Sequence, residues 1–94
     1  MEFEFDPAKS RSNRSKHGID FEDAQALWRD RDHFILPSRY PAESRRLAIG
    51  AVGEAVWTAI VTMRGGNTRI ISVRRARQNE AQAYFSRRAR SDFR

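Results

Sequence analysis

Residues 45–73 constrain the fold more than any other stretch. RRLAIGAV (45–52) and AVWTAIVTM (55–63) are separated only by Gly53-Glu54. Glycine at the first central position of a two-residue link is the type II′ hairpin signal, and such a link can join only antiparallel strands. Gly65-Gly66-Asn67 makes a second turn into TRIISV (68–73). Along the central run Trp57, Ala59, Val61 and Met63 fall on one face, and Val56, Thr58, Ile60 and Thr62 on the other.

The flanking segments read as follows. FEF at 3–5 alternates like a short strand. Asp6-Pro7 starts a helix, AKSRSNRSKH, which Gly18 closes in the usual C′ position. That helix is polar almost all round, which predicts a surface position. Asp20 caps a second helix, FEDAQALW, whose Phe21, Ala24, Leu27 and Trp28 share a face that belongs in the core. HFIL (33–36) is a strand stopped by Pro37, and PSRYPAE is a loop in which Pro41 delays the next strand. A last helix covers about 77–89, with Ala81, Tyr84 and Phe85 as packing residues.

The order β-α-α-β-β-β-β-α predicts one α+β domain over residues 1–94. Its antiparallel sheet has four to five strands, with two N-terminal helices and one C-terminal helix over the more apolar face. No long apolar run implies a membrane span, and MEFEFDPAKS lacks the pattern of a signal peptide. The expected location is the cytoplasm.

Charge is segregated along the chain. Residues 1–63 carry nine basic and ten acidic side chains, whereas residues 64–94 carry nine arginines against Glu80 and Asp92. A net of −1 followed by +7 predicts a polyanion or an acidic protein as partner of the basic segment 64–94. Arginine suits phosphate because its planar fork donates two parallel hydrogen bonds.

Metal and cofactor chemistry find little support. There are no cysteines, and the two histidines stand sixteen positions apart without an HExxH motif. Neither a Walker loop nor GxGxxG is present. RIISVRRAR (69–77) is the densest constellation, a strand ending in arginines just before a helix. Strict alternation would put Arg69 and Arg75 on one face with Ile71 and Val73, and Arg74 on the other with Ile70 and Ser72. Arg64 and Arg69 would form a cationic pair across the glycine turn. Glu80 and Tyr84, four apart, share a helical face; glutamate can abstract a proton, and tyrosine can donate one or stack on a base. Lys16 and His17 occupy the last turn of the first helix, where its dipole alone explains positive charge. Histidine is nonetheless the side chain suited to proton transfer near neutrality.

With FEFDPAK, SNRSKHGIDFEDA and RIISVRRARQNEAQAYF in view, the chain resembles the BrnT family of toxins from about Phe3 to Tyr84. The resemblance implies a RelE-like fold and ribonuclease activity that inhibits translation. It also implies neutralisation by a cognate BrnA-type antitoxin, with DNA touched only indirectly through that antitoxin. Lys16, His17, Arg64, Arg69, Arg74, Glu80 and Tyr84 fall on the shared motifs. One departure is Arg77, where such sequences usually place a Ser or Thr cap three residues before the glutamate. That breaks the capping box and leaves the start of the last helix open.

The expected chemistry is metal-independent cleavage of single-stranded RNA, on or off the ribosome, by attack of its own 2′-hydroxyl. Arg64, Arg69 and Arg74 would stabilise charge, Glu80 or His17 would be the base, and Tyr84 would stack or assist; Lys16 and Arg75 would help hold the strand. The alternative is a non-catalytic module that binds RNA or an acidic protein with the same arginines. A direct DNA-binding regulator fits less well, because no basic recognition helix has helix-turn-helix spacing.

Overall fold

A computed structural model describes residues 2–38 and 44–92 of the chain. Five strands, β1 (Phe3–Glu4), β2 (Phe34–Pro37), β3 (Arg45–Val52), β4 (Ala55–Arg64) and β5 (Asn67–Arg75), form one sheet in the order β1-β5-β4-β3-β2. Gly53 has a φ of 62° while Glu54 has a negative φ, as a type II′ turn requires. At the second turn Gly65 and Gly66 both have positive φ, and Asn67 already belongs to β5. The expected loop about Pro41 lies outside the described residues.

The sheet is mixed rather than antiparallel. β2, β3, β4 and β5 pair antiparallel in succession, but β1 runs parallel to β5, with Phe3 opposite Thr68. Tight turns dictate direction only where they exist, and no turn links β1 to β5. The alternation along β5 also departs from expectation. Ile60 pairs with Ser72 and Val61 with Ile70, so Ile71 is the extra residue of a bulge. Its insertion resets the alternation. Thr68, Ile70, Val73 and Arg75 share one face with Met63, Val61, Ala59 and Trp57; Arg69, Ser72 and Arg74 share the other with Thr62, Ile60 and Thr58. Arg69 and Arg74 therefore lie on the same side of the sheet, contrary to strict alternation.

The first of these faces holds the main core. Trp57, Ala59, Val61, Ile70 and Val73 pack there against Ile19, Phe21, Ala24 and Leu27. The segment expected as a second α-helix is a 3-10 helix, Asp23–Arg29. Phe21, Ala24 and Leu27 recur every third residue, which is the period of a 3-10 turn. The N-cap residue of this 3-10 helix is Glu22 rather than the expected Asp20, whose Oδ1 instead accepts from the Asp23 N–H at 2.7 Å and closes the preceding turn. Leu27 sits directly on Gly50, where an added Cβ would lie 3.0 Å from Leu27 Cγ and 2.9 Å from His33 Cβ. Gly50→Ala is expected to cost about 1–3 kcal/mol through overpacking, measured as a lower denaturant midpoint.

Helix α1 (Pro7–His17) matches its expected caps. Asp6 accepts from the Ala8 N–H, and the Gly18 N–H donates to Arg14 O. Its docking is polar. Asn13 is buried; it donates to Ile19 O and Val73 O and accepts from Val73 N–H, and so completes the edge of β5 beyond the end of β1. Ser10 Oγ accepts from Phe21 N–H. A helix with no apolar stripe is thus tied down by hydrogen bonds.

Helix α2 (Gln78–Asp92) packs on the opposite face, so helices flank the sheet on both sides rather than one. Tyr84 joins Phe34 and Ile49 there, edged by Ala51 and Val56. Phe85, expected to pack, is 52 % exposed.

Candidate active site

The half of the second face that α2 leaves open carries the candidate site. Cross-strand pairing arranges it in rows. Arg45, Thr62 and Arg69 form one; Leu36, Leu47, Ile60 and Ser72 form the next; Phe34, Ile49, Thr58 and Arg74 form the third, beneath the start of α2. A solvent-open groove of about 570 Å³ runs along the first row, lined by Lys9, Ser44, Arg45, Thr62, Met63, Arg64, Arg69 and Ile71.

Arg74 is held by two charged hydrogen bonds. Its Nη1 and Nη2 donate to the two carboxylate oxygens of Glu80 at 2.8 and 3.0 Å, and Nη1 also reaches Arg75 O at 3.3 Å. The Nε–H and the remaining Nη2–H make no bond among the described residues. They lie on one edge of the planar guanidinium, a fork matched to a phosphate or carboxylate.

Glu80 is buried and fully engaged. Besides Arg74, its Oε1 accepts from the Thr58 hydroxyl at 2.9 Å and from the Arg77 N–H at 2.8 Å. The second bond is the reciprocal half of a capping box. The missing Ser or Thr at position 77 therefore removes one arm of that motif and leaves the glutamate's arm intact. The Arg74 hydrogen bonds, foremost, overcome burial and hold the Glu80 carboxyl at about 2, aided by Arg77 and Thr58.

That shift has a sign and a window. In the unfolded chain the carboxyl takes up a proton near 4.5, whereas in the fold it resists until about 2. The stabilisation is complete above pH 4.5 and is lost as pH falls towards 2. It amounts to about 3 kcal/mol. Glu80→Gln should flatten the loss of thermal stability across that acid range, a difference visible by calorimetry.

The other expected residues divide into four groups. Arg64 and Arg69 do come together, through a residue not anticipated in the site: Glu4 Oε1 lies 3.8 Å from Arg64 and 3.4 Å from Arg69. Hydrogen bonding from Asn67, first, and then the two arginines keep the Glu4 carboxyl below its usual range. The alternation of FEF carried this signal, since a carboxylate between two core phenylalanines must point away from the core. Arg75 points to the opposite face, with its guanidinium 5.3 Å from the centroid of Trp57.

Tyr84 belongs to the core. It is 1 % exposed, so its ring offers no face to a base, and its hydroxyl donates to Asp30 Oδ2 at 2.6 Å. Burial, then that bond, pushes the phenol up to about 12. Burial also raises the Asp30 carboxyl, but the hydrogen bonds of Tyr84, Ala51 and Asp32 outweigh it and leave it below its usual range. Asp30 is a second residue the sequence did not single out. It ties α2 to the end of the 3-10 helix and to β3.

Lys16 and His17 are exposed and make no hydrogen bond or ion pair among the described residues. His17 is nevertheless placed by helical spacing. Lys9, Asn13 and His17 recur every four residues and so share one stripe of α1. Lys9 lines the groove and Asn13 bonds Val73, which sets the stripe along the edge of β5. His17 lies about 6 Å further along the helix than Asn13. Elsewhere, no three His, Asp or Glu side chains gather as metal ligands among the described residues.

A clamped arginine and a cationic groove thus lie on the same face of the sheet. Residues 5–80 match the family described as ribonuclease toxin, BrnT, of type II toxin-antitoxin system. The chain belongs to the BrnT family. BrnT proteins are ribonuclease toxins, so an RNA substrate and an antitoxin partner come with membership. The matched span contains Lys16, His17, Arg64, Arg69, Arg74, Arg75 and Glu80, and stops short of Tyr84. A comparison with curated proteins returned no match. No helix among the described residues is long and apolar enough to cross a membrane.

Proposed function

We propose that this BrnT chain is an endoribonuclease that cleaves single-stranded RNA without a metal ion and thereby inhibits translation. The observation that carries the reading is the clamped Arg74, with an unused donor edge, on the same open face as Arg69 and Arg64. In the proposed reaction the RNA 2′-oxygen attacks the adjacent phosphorus, and the bond from phosphorus to the 5′-oxygen breaks. The products are a 2′,3′-cyclic phosphate and a 5′-hydroxyl. Arg74 receives the charge that builds on the phosphorane oxygens, where preorganised donors have their largest effect.

His17 accepts the 2′-hydroxyl proton, and water protonates the departing 5′-oxygen. Glu80 is a positioning residue. A carboxylate held at about 2 and engaged in four hydrogen bonds is a weak base, but it is a firm anchor for Arg74. Tyr84 acts further back still, fixing α2 through Asp30. Arg64, Arg69 and Lys16 hold the strand, and Arg75, on the opposite face, adds to the field that attracts it.

The test is to incubate the antitoxin-free chain with labelled RNA and with DNA of the same sequence, with and without ribosomes. Cleavage of RNA but not DNA is expected. Cleavage only with ribosomes would assign the missing catalytic groups to the ribosome. Intact RNA throughout, from folded protein that still binds it, would make the chain a non-catalytic RNA-binding module. Equal cleavage of DNA would refute the 2′-hydroxyl as nucleophile.

A further inference from the structure

We infer that the open sheet face holds a second phosphate subsite, in the groove of Lys9, Arg64 and Arg69, so that the enzyme grips an extended single strand across several nucleotides. The inference rests on the ribonuclease reading and names the form of its substrate.

Two cationic points stand on this face. Arg74 pairs with Thr58, and Arg69 pairs with Thr62, four residues along the same strand. At about 3.3 Å per residue the two rows are about 13 Å apart. One phosphate cannot bridge that distance. A stacked strand rises about 3.4 Å per nucleotide, so 13 Å corresponds to about four stacked steps, and fewer when the strand is drawn out.

Between the two points lies the row of Leu36, Leu47, Ile60 and Ser72. Leu36 is 41 % exposed, and Leu47 and Ile60 are half-buried. This aliphatic strip can support a base through its face without reading its edge, so contact there is tolerant of sequence. The groove beyond it carries Lys9, Arg64 and Arg69, of which Arg64 and Arg69 share the single carboxylate of Glu4. Helix α2 starts on the same face, where its Glu80 holds Arg74. A strand with its bases splayed fits this track, and a base-paired helix does not.

The experiment measures affinity for RNA of increasing length, made uncleavable by 2′-O-methylation, by fluorescence anisotropy on the full chain. Affinity for a pentanucleotide should exceed that for a dinucleotide by at least tenfold, and a duplex of the longer sequence should bind no better than the dinucleotide. Arg69→Ala should lose that gain and reduce the salt slope for the pentanucleotide by about 0.7. Lys9→Ala, at an exposed position of α1, repeats the test without touching a sheet residue. Equal affinity for short and long RNA, an undiminished gain in both variants, or preference for the duplex would each overturn the subsite. Length-dependent binding without any cleavage of unmodified RNA would sustain it and sink the nuclease reading instead.

Discussion

Arg74→Ala should lower the rate of RNA cleavage by about 10² to 10³, the usual consequence of removing one donor aimed at developing oxyanion charge. The effect should fall on kcat more than on KM, because the groove cations still hold the strand. Arg74→Lys keeps the charge but not the planar fork, and should recover only part of the loss. The alanine variant also leaves the buried Glu80 without its ionic partner, which costs about 3–5 kcal/mol. Rates must therefore be compared per folded molecule, at a temperature where circular dichroism shows both proteins intact. A folded Arg74→Ala chain that cleaves at the parental rate would remove Arg74 from the mechanism.

His17→Ala is the second large effect. Loss of a general base typically costs about 10² to 10⁴ in rate. Because His17 is exposed and makes no hydrogen bond among the described residues, its removal should leave stability within about 0.5 kcal/mol of the parent. RNA affinity should also be unchanged. Glu80→Gln gives the contrast. It slackens the clamp on Arg74 and should lower the rate less than either of these changes, while flattening the acid loss of stability. If Glu80→Gln abolished cleavage and His17→Ala left it intact, the roles of base and anchor would have to be exchanged.

The strands from 45 onward were legible because two glycine turns leave a chain little choice of direction. Residues 45–52 form β3 with the bounds read from sequence alone. The faces of β4 also followed from alternation. β5 did not, because a single inserted residue, Ile71, reverses the alternation on one side of it, and no residue type announces a bulge of that kind. The consequence for the site is large, since it brings Arg69 and Arg74 to one face. Strict alternation had separated them.

Polar anchoring was equally hidden. Ser10 and Asn13 read as surface residues of a polar helix, yet both are buried, because the backbone of Ile19, Phe21 and Val73 needs partners that no apolar side chain can supply. Which partners the expected site residues take depends on burial, which their spacing in sequence does not show. Glu80 and Tyr84 share a helical face in sequence and a buried face in the fold. That burial commits one to Arg74 and the other to Asp30.

The chemistry of the cut ends tests the 2′-hydroxyl mechanism most directly. RNA cleaved by the purified chain in excess EDTA should carry 2′,3′-cyclic phosphate and 5′-hydroxyl termini, identified by mass spectrometry of the fragments. Cleavage that stops in EDTA, or that leaves 3′-hydroxyl and 5′-phosphate ends, would contradict attack by the RNA's own 2′-hydroxyl over Arg74.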